Sequence, residues 1–122
     1  MFKRNIIQSF KFAIEGIRFM FKSERNIKIH SFVALVAVIA SVIFQISHIE
    51  FLFVFFSIAL VFIAETANTA FELLLDFVHG DKFHPDVKLL KDIAAGGVFV
   101  AALNAFMVGI IVFYPKLSVI FK

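Results

Sequence analysis

Three stretches of the chain carry no Lys, Arg, Asp or Glu: residues 29–49, 51–64 and 93–115. Each is dominated by Val, Ile, Leu, Phe and Ala. A helix needs roughly 20 apolar residues to cross about 30 Å of hydrocarbon, so the first and third qualify as they stand. The second is short, but it runs on through Glu65, Asn68, Glu72 and Asp76 to Val78, with no Gly or Pro before Gly80 to stop a helix. It reads as one helix over 51–78, about 42 Å long at about 1.5 Å per residue.

The start of the chain follows a different pattern. Phe2, Ile6, Phe10, Ala13, Ile14, Ile17 and Phe21 recur at helical spacing, opposite Lys3, Arg4, Lys11, Glu15, Arg18 and Lys22; Phe12 and Phe19 break the pattern slightly. This predicts an amphipathic helix lying on an anionic membrane surface. A signal peptide is the competing reading, yet the charges recur every few residues and leave no continuous apolar core. The expectation is therefore an all-α membrane protein with one membrane-embedded domain over 1–122. It comprises a surface helix and turn over 1–28, spans over 29–49, 51–78 and 93–115, and a loop over 79–92.

Composition agrees and narrows the chemistry. Of 122 residues, 61% are hydrophobic and 17% charged, against about 45–50% and about 25% in soluble domains. Such a chain has no room for a separate soluble catalytic domain, so any chemistry must sit on the spans. With no cysteine, a disulfide framework, a thiol nucleophile, thiolate zinc and iron-sulfur clusters are all excluded.

Basic residues set the orientation, because short loops rich in Lys and Arg stay cytosolic. Lys3, Arg4, Lys11, Arg18, Lys22, Arg25 and Lys28 precede the first span, and Lys82, Lys88 and Lys91 lie between the second and third. Only Lys116 and Lys122 lie elsewhere. A cytosolic N-terminus and second loop are expected, with the C-terminus outside and Tyr114 as an interfacial aromatic. This asymmetry accounts for the net charge of +3 without a nucleic-acid partner.

Gly97, Ala101, Ala105 and Gly109 recur every fourth residue on the third span, which lines one face with small side chains and admits a close helix. Three helices bury little by themselves, so a homo-oligomer is expected.

Acidic side chains inside a span are costly and by default mark function. At about 100° per residue, Glu65, Asn68, Thr69, Glu72 and Asp76 fall within about 60° of one line on the second span. If the helix enters near Phe51, Glu65 lies about 21 Å along it and Glu72 about 32 Å, so the stripe runs through the inner bilayer to its cytosolic face. Two further clusters reach that level: Glu24, Asn26 and His30 before the first span, and Lys88, Lys91 and Asp92 before the third. Here a water-soluble anion and a lipid headgroup can meet. Glu24 and Glu72 could hold magnesium through oxygen, Lys91 could balance phosphate charge, and Glu65 could accept a proton from a hydroxyl.

Blander readings exist for single residues. A lone Glu can hydrogen-bond to a neighbouring helix, and Lys91-Asp92 can be an interfacial anchor followed by a helix cap. His79 and His84 lack zinc-site spacing, and His48 reads as a polar residue of the outer turn. A Gly-Lys-Ser/Thr phosphate loop, a kinase His-Arg-Asp, a Gly-x-Ser-x-Gly elbow and a His-Glu-x-x-His pair are all absent. Phosphoryl transfer does not require them, because that reaction chiefly needs in-line positioning and charge neutralisation. A reading of another class is a small ion- or proton-conducting membrane protein, but conduction favours polar groups across the whole bilayer. Residues 32–44 and 98–113 offer only Ser41 and Asn104.

Two long motifs in order carry a family resemblance. The run Glu65-Thr66-Ala67-Asn68-Thr69-Ala70-Phe71-Glu72 with Asp76, followed by His84-Pro85, Lys88 and Lys91-Asp92-Ile93-Ala94-Ala95-Gly96-Gly97-Val98, resembles the bacterial integral-membrane diacylglycerol kinase and undecaprenol kinase family. The match extends over nearly the whole chain. Ala67, Phe71 and Leu75 depart from the usual residues, which affects packing more than chemistry.

The resemblance implies a homotrimer of three-span subunits in the bacterial cytoplasmic (inner) membrane. Its composite sites near the cytosolic interface would use Mg-ATP to phosphorylate a lipid alcohol. By position, Glu65 resembles the general base, with Asn68 supporting the site. Glu24 and Glu72 resemble the magnesium and ATP-phosphate ligands, Glu24 by its spacing from Gly16 and Arg18. Lys91 and Asp92 resemble the phosphate-binding and site-organising pair. The stretch Glu24-Arg25-Asn26-Ile27-Lys28-Ile29-His30 is similar to the undecaprenol kinase branch, so undecaprenol is the expected acceptor, with diacylglycerol the alternative.

Overall fold

The computed structural model describes residues 3–121, so Phe2 and Lys122 lie outside the described residues. Within them the chain is all helical: α1 (Ile6–Ser23), α2 (Arg25–Ile43), α3 (His48–His79) and α4 (Pro85–Ile120). The last three are long and apolar enough to cross a membrane, and the protein is a multi-pass membrane protein.

The helix ends have local causes. Asn5 caps α1: its side chain accepts from the Gln8 N–H while the Gln8 side chain accepts from the Asn5 N–H. The apolar face of α1 remains exposed, with Ile6, Phe10, Ile14 and Ile17 open and only Met20 buried. Phe21 stacks on Phe62 of α3, with ring centroids 6.2 Å apart, and so ties the end of α1 to the bundle. Glu24 closes α1 and opens α2, its backbone extended between them. Ile27, in the first turn of α2, is almost wholly buried. The second helix therefore begins earlier than the charge-free run, at Arg25.

That helix also ends earlier, at Ile43, because a new cap intervenes. Gln45 takes φ 50, and Ser47 and Glu50 form a reciprocal capping box that starts α3 at His48. At the far end of α3, Gly80 adopts φ 79, a left-handed value that favours a residue without Cβ. Lys88, Lys91 and Asp92, read from sequence as part of a loop over 79–92, are helical, because His84 caps α4 through Nδ1 and Pro85 sits at its first position. At the other end α4 continues past Pro115 to Ile120. At about 1.5 Å per residue α3 and α4 run about 48 and about 54 Å, longer than a bilayer core of about 30 Å.

The most extensive packing joins α3 to α4, antiparallel. Val54, Ser57, Val61, Glu65 and Thr69 form the buried seam of α3, and Ala101 and Val112 are buried on α4. Asn104 donates to the Ser57 hydroxyl across this seam at 3.3 Å, and Lys116 meets Glu50 at 3.2 Å at its end. A Cβ added at Gly97 or Gly109 would meet nothing within 4 Å, so within one chain the small-residue face is closely packed only around Ala101. The second helix lies more loosely on α3 and leaves a groove of ≈ 620 Å³ between α2, α3 and α4.

Candidate active site

The buried seam of α3 changes character along its length. Val54 is followed three residues on by Ser57 and then, every fourth residue, by Val61, Glu65 and Thr69, so the acidic residue falls on the packed face and is only 2% exposed. Burial of a carboxylate is costly unless it is hydrogen-bonded. His30 of α2 supplies the bond, with Nε2 3.1 Å from Glu65 Oε1. An ionised carboxylate only accepts, so the facing imidazole nitrogen then carries the proton. His30 is itself 25% exposed and lines one end of the apolar groove, whose other end is formed by Phe113, Tyr114 and Leu117.

One turn further along α3, Asn68 Nδ2 donates to Glu72 Oε1 at 3.3 Å. Asn68 Oδ1 and the Thr69 hydroxyl are buried without a hydrogen-bond partner. Unsatisfied buried polar atoms are uncommon and costly, and two of them adjoin the buried carboxylate on the same helix. At the end of the stripe Asp76 meets Lys91 Nζ at 2.7 Å, and Asp92 meets Lys88 Nζ at 2.6 Å on the exposed side of α4.

The sequence-derived residues are thus brought together to different degrees. Glu65, Asn68 and Glu72 share the inward stripe of α3, and Lys91 is joined to that helix through Asp76. Asp92 bonds within its own helix rather than to the stripe. Glu24 lies half-buried at the α1–α2 junction and makes no side-chain hydrogen bond among the described residues. Sequence places His30 with Glu24 and Asn26 by level in the membrane and gives it no partner. Its contact with Glu65 joins residues 35 positions apart, which helix periodicity does not reveal.

Among the described residues no three His, Cys, Asp or Glu side chains converge tightly enough to hold a metal by themselves. Magnesium rarely needs such a cage. It keeps waters and is bound by one or two carboxylates together with substrate phosphates. The donors here suit that mode, because Glu24 and Glu72 offer oxygen ligands and the neighbouring Asn68 Oδ1 is an unpaired oxygen.

Residues 11–113 match the family model described as prokaryotic diacylglycerol kinase. The chain is 37% identical over 110 residues to the undecaprenol kinase of Bacillus subtilis, covering 90% of this chain and 89% of that one. It is 34% identical over 113 residues to the diacylglycerol kinase of a Synechocystis species, covering 93% of this chain and 65% of the length of that protein. The chain therefore belongs to the prokaryotic diacylglycerol kinase family, a family of lipid kinases and hence of phosphotransferases with an alcohol group as acceptor.

Proposed function

We propose that this protein is an ATP-dependent kinase that transfers the γ-phosphate to the primary hydroxyl of a membrane lipid alcohol, undecaprenol in preference to diacylglycerol. The observation that carries this reading is that His30, at one end of the apolar groove, also bonds the buried carboxylate of Glu65. The groove runs along the bundle between α2, α3 and α4 and ends at His30, which holds Glu65. A lipid tail in the groove would bring its terminal hydroxyl to His30, beside that carboxylate.

The chemistry divides among the chain's own residues. Glu65 accepts the hydroxyl proton as the lipid oxygen bonds to the γ-phosphorus. The bond from that phosphorus to the bridging oxygen breaks, and ADP leaves. Asn68 supports the carboxylates on its helix. Lys91, whose ammonium is now held by Asp76, offers charge to the phosphates, and Asp92 organises the start of α4 through Lys88. Glu24 and Glu72 would hold magnesium, which when bound neutralises phosphate charge.

The remaining elements fit a multi-pass protein of the bacterial inner membrane with a cytosolic N-terminus. The basic residues cluster at the end where α2 starts and α3 finishes, and the exposed apolar face of α1 suits a membrane surface. The open small-residue position Gly97, away from the groove, favours a second copy, within a homotrimer. The kinship of the α1–α2 junction to the undecaprenol branch supports the acceptor, as does similarity to a relative so named.

The test is transfer of label from γ-labelled ATP to lipid by the purified protein in mixed micelles. Undecaprenol and diacylglycerol are compared at equal mole fraction, with and without magnesium. Magnesium-dependent label in undecaprenol at the higher kcat/KM is expected. Preference for diacylglycerol would overturn the acceptor assignment, and no label in either lipid from folded, oligomeric protein would overturn the activity.

A further inference from the structure

Glu65 is nearly sealed from solvent, and among the described residues its side chain makes one hydrogen bond, to His30. A carboxylate with a single partner has two oxygens of unequal status. Oε1 is engaged by the imidazole, and the other oxygen is free to receive a proton. Without the imidazole the carboxylate would rotate about its terminal torsion, which is broad and roughly two-fold. A general base works only when its acceptor atom lies within hydrogen-bond reach of the proton it takes.

The position of His30 adds a second constraint. It stands on α2, whereas Glu65 stands on α3, and α2 is held less extensively against α3 than α4 is. His30 also lines the groove, so its ring is part of the wall and stands between the apolar channel and the carboxylate that it bonds. One side chain thus fixes both the orientation of Glu65 and the place at which the groove ends.

We propose that His30 is a positioning residue for phosphoryl transfer: its Nε2–H holds Glu65 Oε1 and turns the other carboxylate oxygen towards the groove, where the acceptor hydroxyl arrives. This rests on the reading of Glu65 as the base. The work is done by hydrogen-bond donation and not by a proton transferred to or from the ring. A neutral donor reaching the same point therefore performs it.

Three variants in the full-length protein test this, each with steady-state kinetics in both lipid and ATP and a check of helicity and oligomer size in detergent. His30→Leu removes the donor and is expected to lower kcat by roughly 10- to 100-fold, the scale of a misaligned reacting group, with KM for ATP and lipid within about twofold. His30→Gln carries an amide N–H to about the same reach and is expected to recover most of kcat. Equal loss in both variants with folding intact would overturn the proposal, as would full kcat in His30→Leu. If His30→Leu fails to fold, His30→Gln decides alone: retained kcat with a donor that does not titrate supports positioning, and a collapse of kcat in folded protein overturns it. Glu65→Gln separates this from the reading beneath it. Its full turnover would remove Glu65 as base, whereas an inactive Glu65→Gln beside a fully active His30→Leu would leave the base in place and remove only its positioning partner.

Discussion

Lys91 Nζ lies 2.7 Å from Asp76 Oδ1, joining the first turns of α4 to the last turns of α3 across the Gly80 turn. Both side chains are partly open to water, at 36% and 49% exposed. Such a pair adds little to stability, because solvent screens it and long side chains lose freedom in making it. On the proposed function its value is to keep an ammonium at the end of the polar stripe, where phosphate would displace or share it. Lys91→Met is therefore expected to lower kcat/KM for ATP by about 100-fold, the scale of one lost charge-stabilising donor, while the unfolding midpoint in detergent barely moves. A large drop in that midpoint would show that the pair serves mainly to join the helices.

Glu65→Gln keeps the side-chain shape and a carbonyl oxygen to accept from His30, but removes the basic oxygen. Turnover is expected to fall by about 10²- to 10⁴-fold, the usual contribution of general base catalysis. Assembly and Mg-ATP binding should be retained. Nucleotide binding can be followed by fluorescent-analogue titration and transfer by label in lipid. Full turnover in the variant would remove Glu65 from the base role.

Glu72 has two ties, one seen and one proposed. Its Oε1 accepts from Asn68 Nδ2, and its carboxylate is assigned to magnesium. Glu72→Ala should weaken nucleotide binding roughly tenfold or more, on the scale of one charge-assisted contact, and the loss should grow as magnesium is raised. An apparent affinity that does not change across a magnesium titration would count against ligation. The same substitution also leaves Asn68 without a side-chain partner, since its Oδ1 already has none.

Much of this arrangement was legible in the sequence because helix periodicity is rigid. The stripe of Glu65, Asn68, Thr69, Glu72 and Asp76 follows from about 100° per residue, whatever the helix packs against. The extents of the helices were less legible, because charge marks where hydrocarbon ends and not where a helix ends. The first turns of α4 hold Lys88, Lys91 and Asp92, and its last turn passes Pro115, yet both are helical. The break between α1 and α2 at Glu24 carries no Gly or Pro to announce it, and burial of Ile27 belongs to the tertiary packing. The His30–Glu65 bond was the least legible element, because it depends on how α2 docks on α3 and no local pattern encodes that.

Halfway along the bundle, Asn104 donates to Ser57 at 3.3 Å, joining α3 to α4 away from the polar end. Interhelical hydrogen bonds of this kind average about 0.6 kcal/mol and reach about 1.7 kcal/mol in membrane proteins. Asn104→Ala is expected to destabilise the protein within that range in detergent-induced unfolding, with kcat and both KM values close to those of the parent. A selective loss of kcat in stable protein would place Asn104 in the reaction rather than in the scaffold.

The groove offers the last test, because it is lined on α2 by the small side chains of Ala34, Ala37 and Ala40. These keep space open beside Val54, Ile58 and Val61 of α3. Ala37→Phe places a ring in that space without touching the polar stripe. If the lipid tail lies there, KM for the lipid should rise several-fold, on the scale of about 1–3 kcal/mol for a lost or blocked apolar contact, while KM for ATP is unchanged. A longer tail should suffer more than a short one, since it must pass the obstruction. Comparing short-chain and long-chain lipid alcohols on the variant reads this directly. An equal effect on both acceptors, or a change in KM for ATP, would mean that the ring disturbs the bundle and that the tail lies elsewhere.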